Sequence, residues 1–301
     1  MTKSFLPPAP PGERFPVSGL VLLAAVTLFW GINWPITKIV LTDIPPLYYR
    51  STTLVIAGAG LLAIARLGGH SITIPRSAWR SLIWITLFNV TAWNIFMTYG
   101  VSMIPSGRAA LLGYTMPLWG SLLSIWVLGE RIVPRRFASL ILGLSGIAVL
   151  MGNSLDAILE ASAGTACMIV GAWSWAIGIV LFKRLSIPAP TIVVTAWSLA
   201  LGGLPILAAA IPFETSRLAV PGVLPLLGAI YNILFTFMLC YWAWNRIVLM
   251  LPVSISSLSS LGVPLVGVIS GGLLLDETLG WREMIAAALI LFSVASVSAR
   301  R

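Results

Sequence analysis

The chain has 301 residues, of which 58% are hydrophobic and 9% are charged, and its formal net charge is +9. A soluble domain is typically about 45–50% apolar and about 25% charged. So few charges would not cover the surface of a soluble protein of this length, which argues against a soluble globule, a nucleic-acid-binding domain and a disordered chain. The mean hydropathy of +1.00 indicates a protein whose main solvent is lipid.

Ten apolar runs follow a polar N-terminal segment. Residues 1–16 are polar and rich in proline, so we expect a disordered cytoplasmic tail there and no cleaved signal peptide. A membrane-spanning helix needs about 20 mostly apolar residues. The runs cover residues 17–40, 47–66, 80–101, 108–128, 137–152, 162–182, 190–211, 222–244, 252–275 and 282–299. The sequence therefore predicts an all-α integral membrane protein with ten transmembrane helices.

Polar and aromatic side chains within these runs are the candidate substrate ligands, because polar groups inside a span usually face the bundle or a wet cavity. In span one, Trp30, Trp34 and Lys38 recur every four residues on one helix face, and Asn33 lies on the adjacent stripe. The remaining candidates, in later spans, are Asn89, Trp93, Asn94, Thr98, Tyr99, Tyr114, Trp175, Asn232 and Ser257. Aromatic rings around a cavity would stack apolar groups and attract an ammonium group.

Each candidate also has a structural interpretation. An asparagine can hydrogen-bond a neighbouring helix, which is worth about 0.6 kcal/mol on average, and a tryptophan can simply pack. Lys38 lies near the end of span one, where its amine either snorkels to the headgroups or meets a substrate carboxylate. Arg50 and Arg108 also lie near span ends and are interpreted as snorkelling or vestibule charges.

Two glycine–proline pairs are candidate hinges. Gly113 and Pro117 lie in span four, and Gly262 and Pro264 lie in span nine. Proline removes a helix hydrogen bond and kinks the chain. Interruptions at matching places of two halves point to a binding site or a hinge, although membrane helices also tolerate proline for packing reasons. We expect hinges here, and we expect Glu130 and Glu277, at the ends of spans four and nine, to cap helices or form salt bridges.

The distribution of charge predicts the orientation. With the N-terminus inside, 13 of the 18 basic residues lie on the inner side and seven of the nine acidic residues on the outer side. Basic residues in short loops mark the cytoplasmic face, whereas acidic residues carry less weight. We therefore expect ten spans in a bacterial-type inner membrane with both termini in the cytoplasm.

The sequence repeats itself internally. At a shift of 147 positions, residues 101–144 match the second half at 12 of 44 positions without a gap. The less common matches are Pro105 with Pro252, Pro117 with Pro264, Gly120 with Gly267, Glu130 with Glu277 and Arg135 with Arg282. The first spans align at a shift of 145, with Trp30 on Trp175. Residues 17–152 and 162–299 thus form two five-span repeats. Because each repeat has an odd number of spans, the two repeats run in opposite directions through the membrane, which is a recurrent plan of secondary transporters.

Several motifs resemble the drug/metabolite transporter superfamily, in its EamA-like branch. Phe29-Trp30-Gly31-Ile32-Asn33-Trp34 occurs within span one, and Leu128-Gly129-Glu130 and Leu275-Asp276-Glu277 end spans four and nine. The segment Ala243-Trp244-Asn245 resembles the YddG-type aromatic amino-acid exporters within that branch. The resemblance implies export of amino acids or similar metabolites across the inner membrane.

The spans as drawn hold no acidic residue in their interiors, and the single histidine, His70, lies in a loop. Proton relays in transporters usually use such groups, so we expect facilitated diffusion, with a proton-coupled antiporter as the alternative. A membrane-embedded enzyme would need a nucleophile with its base, and a channel a ring of charges or carbonyls. We expect a small-molecule substrate and the lipid bilayer as partners, no nucleic acid, no cofactor or metal, and a monomer.

Overall fold

The structure is a computed structural model that describes residues 17–116, 155–185, 187–250, 253–278 and 280–298, together with scattered positions between 119 and 149. The part of the chain it describes is helical, without strands. Seven of its helices are α1 (Val17–Val40), α2 (Pro46–Leu67), α4 (Ser106–Gly113), α5 (Leu155–Arg184), α6 (Thr191–Glu214), α8 (Val253–Leu275) and α9 (Trp281–Ser298).

Two further helices, α3 and α7, contain π-helical stretches. In α3, residues Leu87–Ala92 are π-helical between the α-helical Trp79–Thr86 and Trp93–Met103. In α7, Asn232–Tyr241 is π-helical between Val223–Tyr231 and Trp242–Met250. The two stretches begin 145 positions apart, which is the shift that aligns the first spans of the two halves. π-Helical turns are rare and occur frequently at functional sites.

Prolines set where three of the helices begin. Pro45, Pro105 and Pro190 each precede a helix, with ψ angles of 142°, 141° and 139°. Proline has a fixed φ and no backbone N–H to leave unpaired, so it fits at a helix start. These prolines thus mark the starts of three helices, each of which follows the preceding helix after a short connection.

Six described helices are long and apolar enough to cross a membrane. They are Ser18–Val40, Pro46–Leu67, Arg76–Met103, Ala163–Phe182, Thr191–Arg217 and Val223–Ile247. They coincide with predicted spans one, two, three, six, seven and eight, and Gly262–Leu275 is a shorter apolar helix in predicted span nine. The tail at residues 1–16 lies outside the described residues, as does most of predicted span five. The count of ten spans stays a prediction.

Helices α2 and α6 pack closely through glycine. A Cβ atom added at Gly58 would lie 2.5 Å from the backbone nitrogen of Ala200, and one at Gly203 would lie 3.0 Å from the carbonyl oxygen of Ser51. Gly58 and Gly203 are 145 positions apart and each faces the helix that carries the other. Small residues allow such close approach of membrane helices. The two halves therefore meet through equivalent positions of α2 and α6.

Two segments differ from the sequence prediction. Predicted span four is interrupted by a turn at Tyr114–Thr115, directly after Gly113, whereas Pro264 lies inside the continuous helix α8. A single proline removes one hydrogen bond, which a membrane helix tolerates. Helix α6 extends to Glu214, beyond the predicted end at residue 211, and it includes Pro212.

Candidate functional site

A central cavity lies where helices of both halves converge. Its volume is about 420 Å³, counted with the space at its open end. The first half contributes Trp30, Asn33, Trp34, Arg50, Trp93, Asn94, Met97, Tyr114 and Met116. The second half contributes Trp175, Thr236, Phe237 and Tyr241. Most of these side chains are apolar or aromatic and a few are polar, which is the usual composition of a small-molecule site.

Aromatic rings form one wall of the cavity. The Trp175 ring meets Trp30, Trp93 and Tyr241 edge to face, with centroid distances of 6.2, 5.4 and 5.7 Å. Trp30 also meets Tyr241 at 5.7 Å, and its indole N–H donates to the carbonyl oxygen of Thr236 at 3.2 Å. That carbonyl belongs to the π-helical stretch of α7. The indole ring of Trp30 is therefore fixed by both packing and a hydrogen bond.

Arg50 supplies the cation of the cavity. Its side chain is fully buried, and its Nε–H donates to Thr98 Oγ1 at 2.8 Å. The terminal nitrogens make longer contacts, 3.4 Å to Asn232 Oδ1 and 3.5 Å to Met97 Sδ. The interpretation of Arg50 as a snorkelling or vestibule charge is therefore wrong, because the first turn of α2 is covered by other helices and the guanidinium points inward.

Three of the predicted polar ligands organise the cavity wall. Asn33 Oδ1 accepts hydrogen bonds from Thr236 at 3.0 Å and from Thr37 at 3.4 Å, which links α1 to α7. Asn94 donates to the carbonyl oxygen of Val90 at 2.7 Å. Asn33 and Asn94 line the cavity while also serving as interhelical or intrahelical glue, so the two interpretations weighed for them are compatible. Thr98 positions Arg50 from behind.

Three other candidates lie away from the cavity lining. Asn89 packs against α5, because a Cβ atom added at Gly178 would lie 2.5 Å from Asn89 Cβ. The Lys38 amine donates to the carbonyl oxygen of Ile104 at 2.8 Å and lies 3.7 Å from Glu277 Oε1. Tyr99 donates to Glu214 Oε1 at 3.2 Å. Lys38 and Tyr99 thus belong to one end of the bundle rather than to its centre.

We call this end of the bundle, which holds Lys38, Tyr99, Glu214 and Glu277, the acidic end. These two glutamates belong to the second half of the chain and cap helices of the first half. Glu214 Oε2 accepts from the backbone N–H groups of Leu47 and Tyr48 at 2.8 and 3.1 Å, at the start of α2. Glu277 accepts from the backbone N–H groups of Ser106 and Gly107 at 2.7 and 3.0 Å, at the start of α4. The first N–H groups of a helix lack partners within it, and its N-terminus favours negative charge. The prediction that Glu277 caps a helix end is confirmed, whereas Glu130 lies outside the described residues.

Further contacts join the halves at the acidic end. Arg108 pairs with Glu283 at 2.7 Å. In the loop after α1, Asp43 accepts from the backbone N–H of Gly222 at 2.8 Å. This hydrogen bond, together with one from the Thr42 hydroxyl, lowers the pKa of Asp43. Because the pKa is lowered, the contact persists at neutral pH and weakens only as the pH falls through that lowered value.

The candidate hinge residues occupy different environments. A Cβ at Gly113 would lie 2.8 Å from Trp34 Cη2, so the small residue makes room for a cavity side chain. A Cβ at Gly262 would lie 2.6 Å from Thr27 Cγ2 of α1, and Pro264 is buried. Pro117 and the side chain of Ser257 lie outside the described residues.

Several residues of the site went unpredicted. The lining includes Arg50, Met97, Met116, Phe237 and Tyr241 beyond the predicted residues, together with Thr236, a polar candidate of predicted span eight. Phe237 and Tyr241 do repeat at helical spacing, which was an available signal. Arg50 lies only four positions inside α2, between two tyrosines and the polar residues 51–53, and its burial comes from the neighbouring helices.

Comparison with known proteins identifies the class. The model of the EamA-like transporter family matches residues 17–152 and 162–299. The transporter YoaV of Bacillus subtilis is 28% identical over 277 residues, which cover 89% of this chain and 92% of that protein. A probable amino-acid metabolite efflux pump of Escherichia coli is 24% identical, covering 90% and 91%. A crystal structure with 22% identity superposes with a TM-score of 0.66, over 93% of this chain and 96% of the other, which shows the shared fold.

The fold and the cavity, taken with these matches, define a membrane transporter and not an enzyme. The chain belongs to the EamA-like transporter family, within the drug/metabolite transporter superfamily.

Proposed function

We propose that the protein exports amino acids, chiefly aromatic or apolar ones, or similar small metabolites across a bacterial inner membrane by alternating access. The observation that carries this proposal is the central cavity, whose aromatic wall is built from both halves. Trp30 and Trp175, which align in the repeat, contact each other in that wall. The matched efflux pump of Escherichia coli, whose name mentions an amino-acid metabolite, supports the substrate class.

We further propose ten spans arranged as two inverted five-helix repeats. Helix α1 packs against α7, and α5, the equivalent of α1 in the second half, packs against α3, the equivalent of α7. Helices α2 and α6, which are also equivalent, pack against each other. This reciprocal pattern, with the matching π-helical stretches, is what a pseudo-two-fold axis in the membrane plane would produce.

In this proposal the acidic end faces outward and both termini lie in the cytoplasm. Basic residues favour the opposite, cytoplasmic end. Glu214 and Glu277, with Lys38 and Tyr99, then form an outer gate that is closed in this structure. Opening this gate requires the second half to release the starts of α2 and α4. The break after Gly113 lies next to Trp34, where a hinge would reshape the cavity.

We propose facilitated diffusion as the transport mode. The charged group that lines the cavity is the guanidinium of Arg50, which stays protonated and therefore does not exchange a proton during transport. One observation favours the proton-coupled alternative: Glu214, the last residue of α6, is a carboxylate with 2% exposure just beyond the predicted end of span seven.

Substrate counterflow tests the proposed function. Purified protein in vesicles loaded with unlabelled phenylalanine should accumulate labelled phenylalanine transiently, and the rate should saturate. Vesicles without protein give the background. Conversion of the label to a new compound, or uptake that rises linearly with concentration, would contradict a carrier.

A further inference from the structure

Arg50 carries a buried positive charge that no carboxylate in the described part of the chain neutralises. Within the described part of the chain the two ion pairs are Lys38 with Glu277 and Arg108 with Glu283, both at the acidic end. A charge removed from water is unfavourable unless it is paired and hydrogen-bonded. An ion pair within the described part of the chain therefore does not explain why Arg50 is buried.

The hydrogen bonds of Arg50 leave donors available. A guanidinium carries five N–H groups. The Nε–H group has a good acceptor in Thr98 Oγ1, whereas the terminal nitrogens have only Asn232 Oδ1 at 3.4 Å and the sulfur of Met97 at 3.5 Å. The contact with Asn232 is long for an N–H···O hydrogen bond, and a thioether sulfur is a weak acceptor. Two N–H groups of the terminal nitrogens are without an acceptor among the described residues, and these nitrogens form the fork that binds a carboxylate with two parallel hydrogen bonds.

The surroundings of Arg50 fit an anionic group. The rings of Tyr49 and Phe237 flank the guanidinium at 4.6 and 5.4 Å, which fixes its plane. The buried hydroxyl of Tyr241 also lines the cavity. The unused N–H groups of Arg50 therefore lie in a part of the cavity wall that also carries a tyrosine hydroxyl.

We propose that Arg50 binds the carboxylate of the substrate, while Trp30, Trp34, Trp93 and Trp175 contact its apolar or aromatic part. This inference rests on the proposed function, because it takes the central cavity as the transport site. The substrates are then small organic acids and zwitterionic amino acids, and amines without a carboxylate are rejected. Arg50 is covered in this structure by α7, so separation of α2 from α7 exposes it, and the carboxylate replaces the long contacts with Asn232 and Met97.

Three probes of nearly the same size test the inference on wild-type protein in proteoliposomes. Phenylalanine carries a carboxylate and an ammonium group, 3-phenylpropionate only the carboxylate, and phenylalaninamide only the ammonium group. We expect the first two to compete for counterflow, and we expect phenylalaninamide to compete about 10- to 100-fold less well, because a hydrogen bond to a charged group is lost.

Two variants of Arg50 test whether this residue causes the preference for a carboxylate. Arg50→Gln should abolish the preference for phenylalanine over phenylalaninamide, and Arg50→Lys should retain part of it. The control is Arg246→Gln, at an exposed arginine near the other end of α7, which should leave the preference unchanged. If Arg50→Gln does not fold, the wild-type probe comparison and Arg50→Lys still decide the question.

The outcomes separate the two proposals. Saturable counterflow of phenylalanine with equal competition by phenylalaninamide would overturn the role of Arg50 and leave the transporter assignment intact. A preference that survives in Arg50→Gln would also overturn it. If wild-type protein moves none of the three probes, the proposed substrate class fails, and the inference fails with it.

Discussion

The indole rings of Trp30 and Trp175 contact each other at the centre of the molecule, with centroids 6.2 Å apart and planes at 86°. The two residues lie 145 positions apart and occupy equivalent places in the repeat. In the inverted repeat that we propose, a residue that meets its own equivalent lies close to the axis that relates the halves. The aromatic wall would then lie at that axis.

The first prediction concerns Trp34, which lines the cavity and packs against Tyr114 at 6.4 Å. We expect Trp34→Ala to reduce phenylalanine counterflow at least about fivefold, since an aromatic pair contributes about 0.5–1.5 kcal/mol beyond its buried area. The elution volume in detergent should stay unchanged. Trp281→Ala, at a tryptophan that is 65% exposed, is the matched control and should retain transport. Equal loss of folded protein and transport in Trp34→Ala would assign Trp34 to packing.

The second prediction concerns the contact between α2 and α6. Gly58→Ala places a methyl group 2.5 Å from backbone, so the helices must separate, at a cost of about 1–3 kcal/mol. We expect a lower midpoint of thermal unfolding in detergent. Gly60→Ala is the control on the same helix, because its methyl group meets only the flexible end of Met238 at 3.0 Å. Equal midpoints for the two variants would show that α2 and α6 do not need this close approach.

The third prediction concerns the outer gate. Glu277→Gln removes the charge that caps α4 and faces Lys38, and lost caps typically cost about 0.5–2 kcal/mol. The reporter is Thr37→Cys in a background without Cys167 and Cys240. We expect this cysteine to react faster with a membrane-impermeant thiol reagent added outside when Glu277→Gln is also present.

Asp276→Asn is the control for the gate, because Asp276 is exposed beside Glu277 and has φ of 51°, a region that asparagine also tolerates. It should leave the labelling rate unchanged. Unchanged labelling in Glu277→Gln as well would contradict the gate.

The fourth prediction separates the two transport modes. Facilitated diffusion predicts that an imposed pH gradient does not drive phenylalanine uptake against its concentration gradient in proteoliposomes. Glu214→Gln should then change the rate of exchange without altering its dependence on the pH gradient. Uphill uptake in wild-type protein that is lost in Glu214→Gln would establish proton coupling through Glu214.

The sequence was sufficient to locate the described spans and about half of the residues that line the cavity. It did not predict which side chains of α3 and α7 face the cavity. Asn89 and Trp93 share a face of an ideal α-helix, yet Asn89 packs against Gly178 of α5 while Trp93 lines the cavity, and a π-helical stretch covers Leu87–Ala92. In α7, the π-helical stretch contains Thr236, Phe237 and Tyr241 of the lining. Hydrophobic periodicity assumes 3.6 residues per turn, so it does not detect these insertions.

The sequence also predicts the environment of Arg50 wrongly. It leaves Lys38 either snorkelling or meeting a substrate carboxylate, and it makes Arg50 a snorkelling or vestibule charge, because both lie near the predicted ends of spans. The start of α2 is instead capped by Glu214, which lies 167 residues beyond Leu47. Local patterns carry no information about such a contact.

The caps at the acidic end have a consequence for the way the bundle opens. When Glu214 and Glu277 leave the starts of α2 and α4, the released N–H groups and both carboxylates need hydrogen bonds from water. In the transport cycle that we propose, opening the outer gate is therefore a hydration event, in which water molecules enter at the acidic end. Osmolytes that are excluded from the protein surface should shift the protein towards the closed form, and the outward step of the transport cycle should respond to water activity.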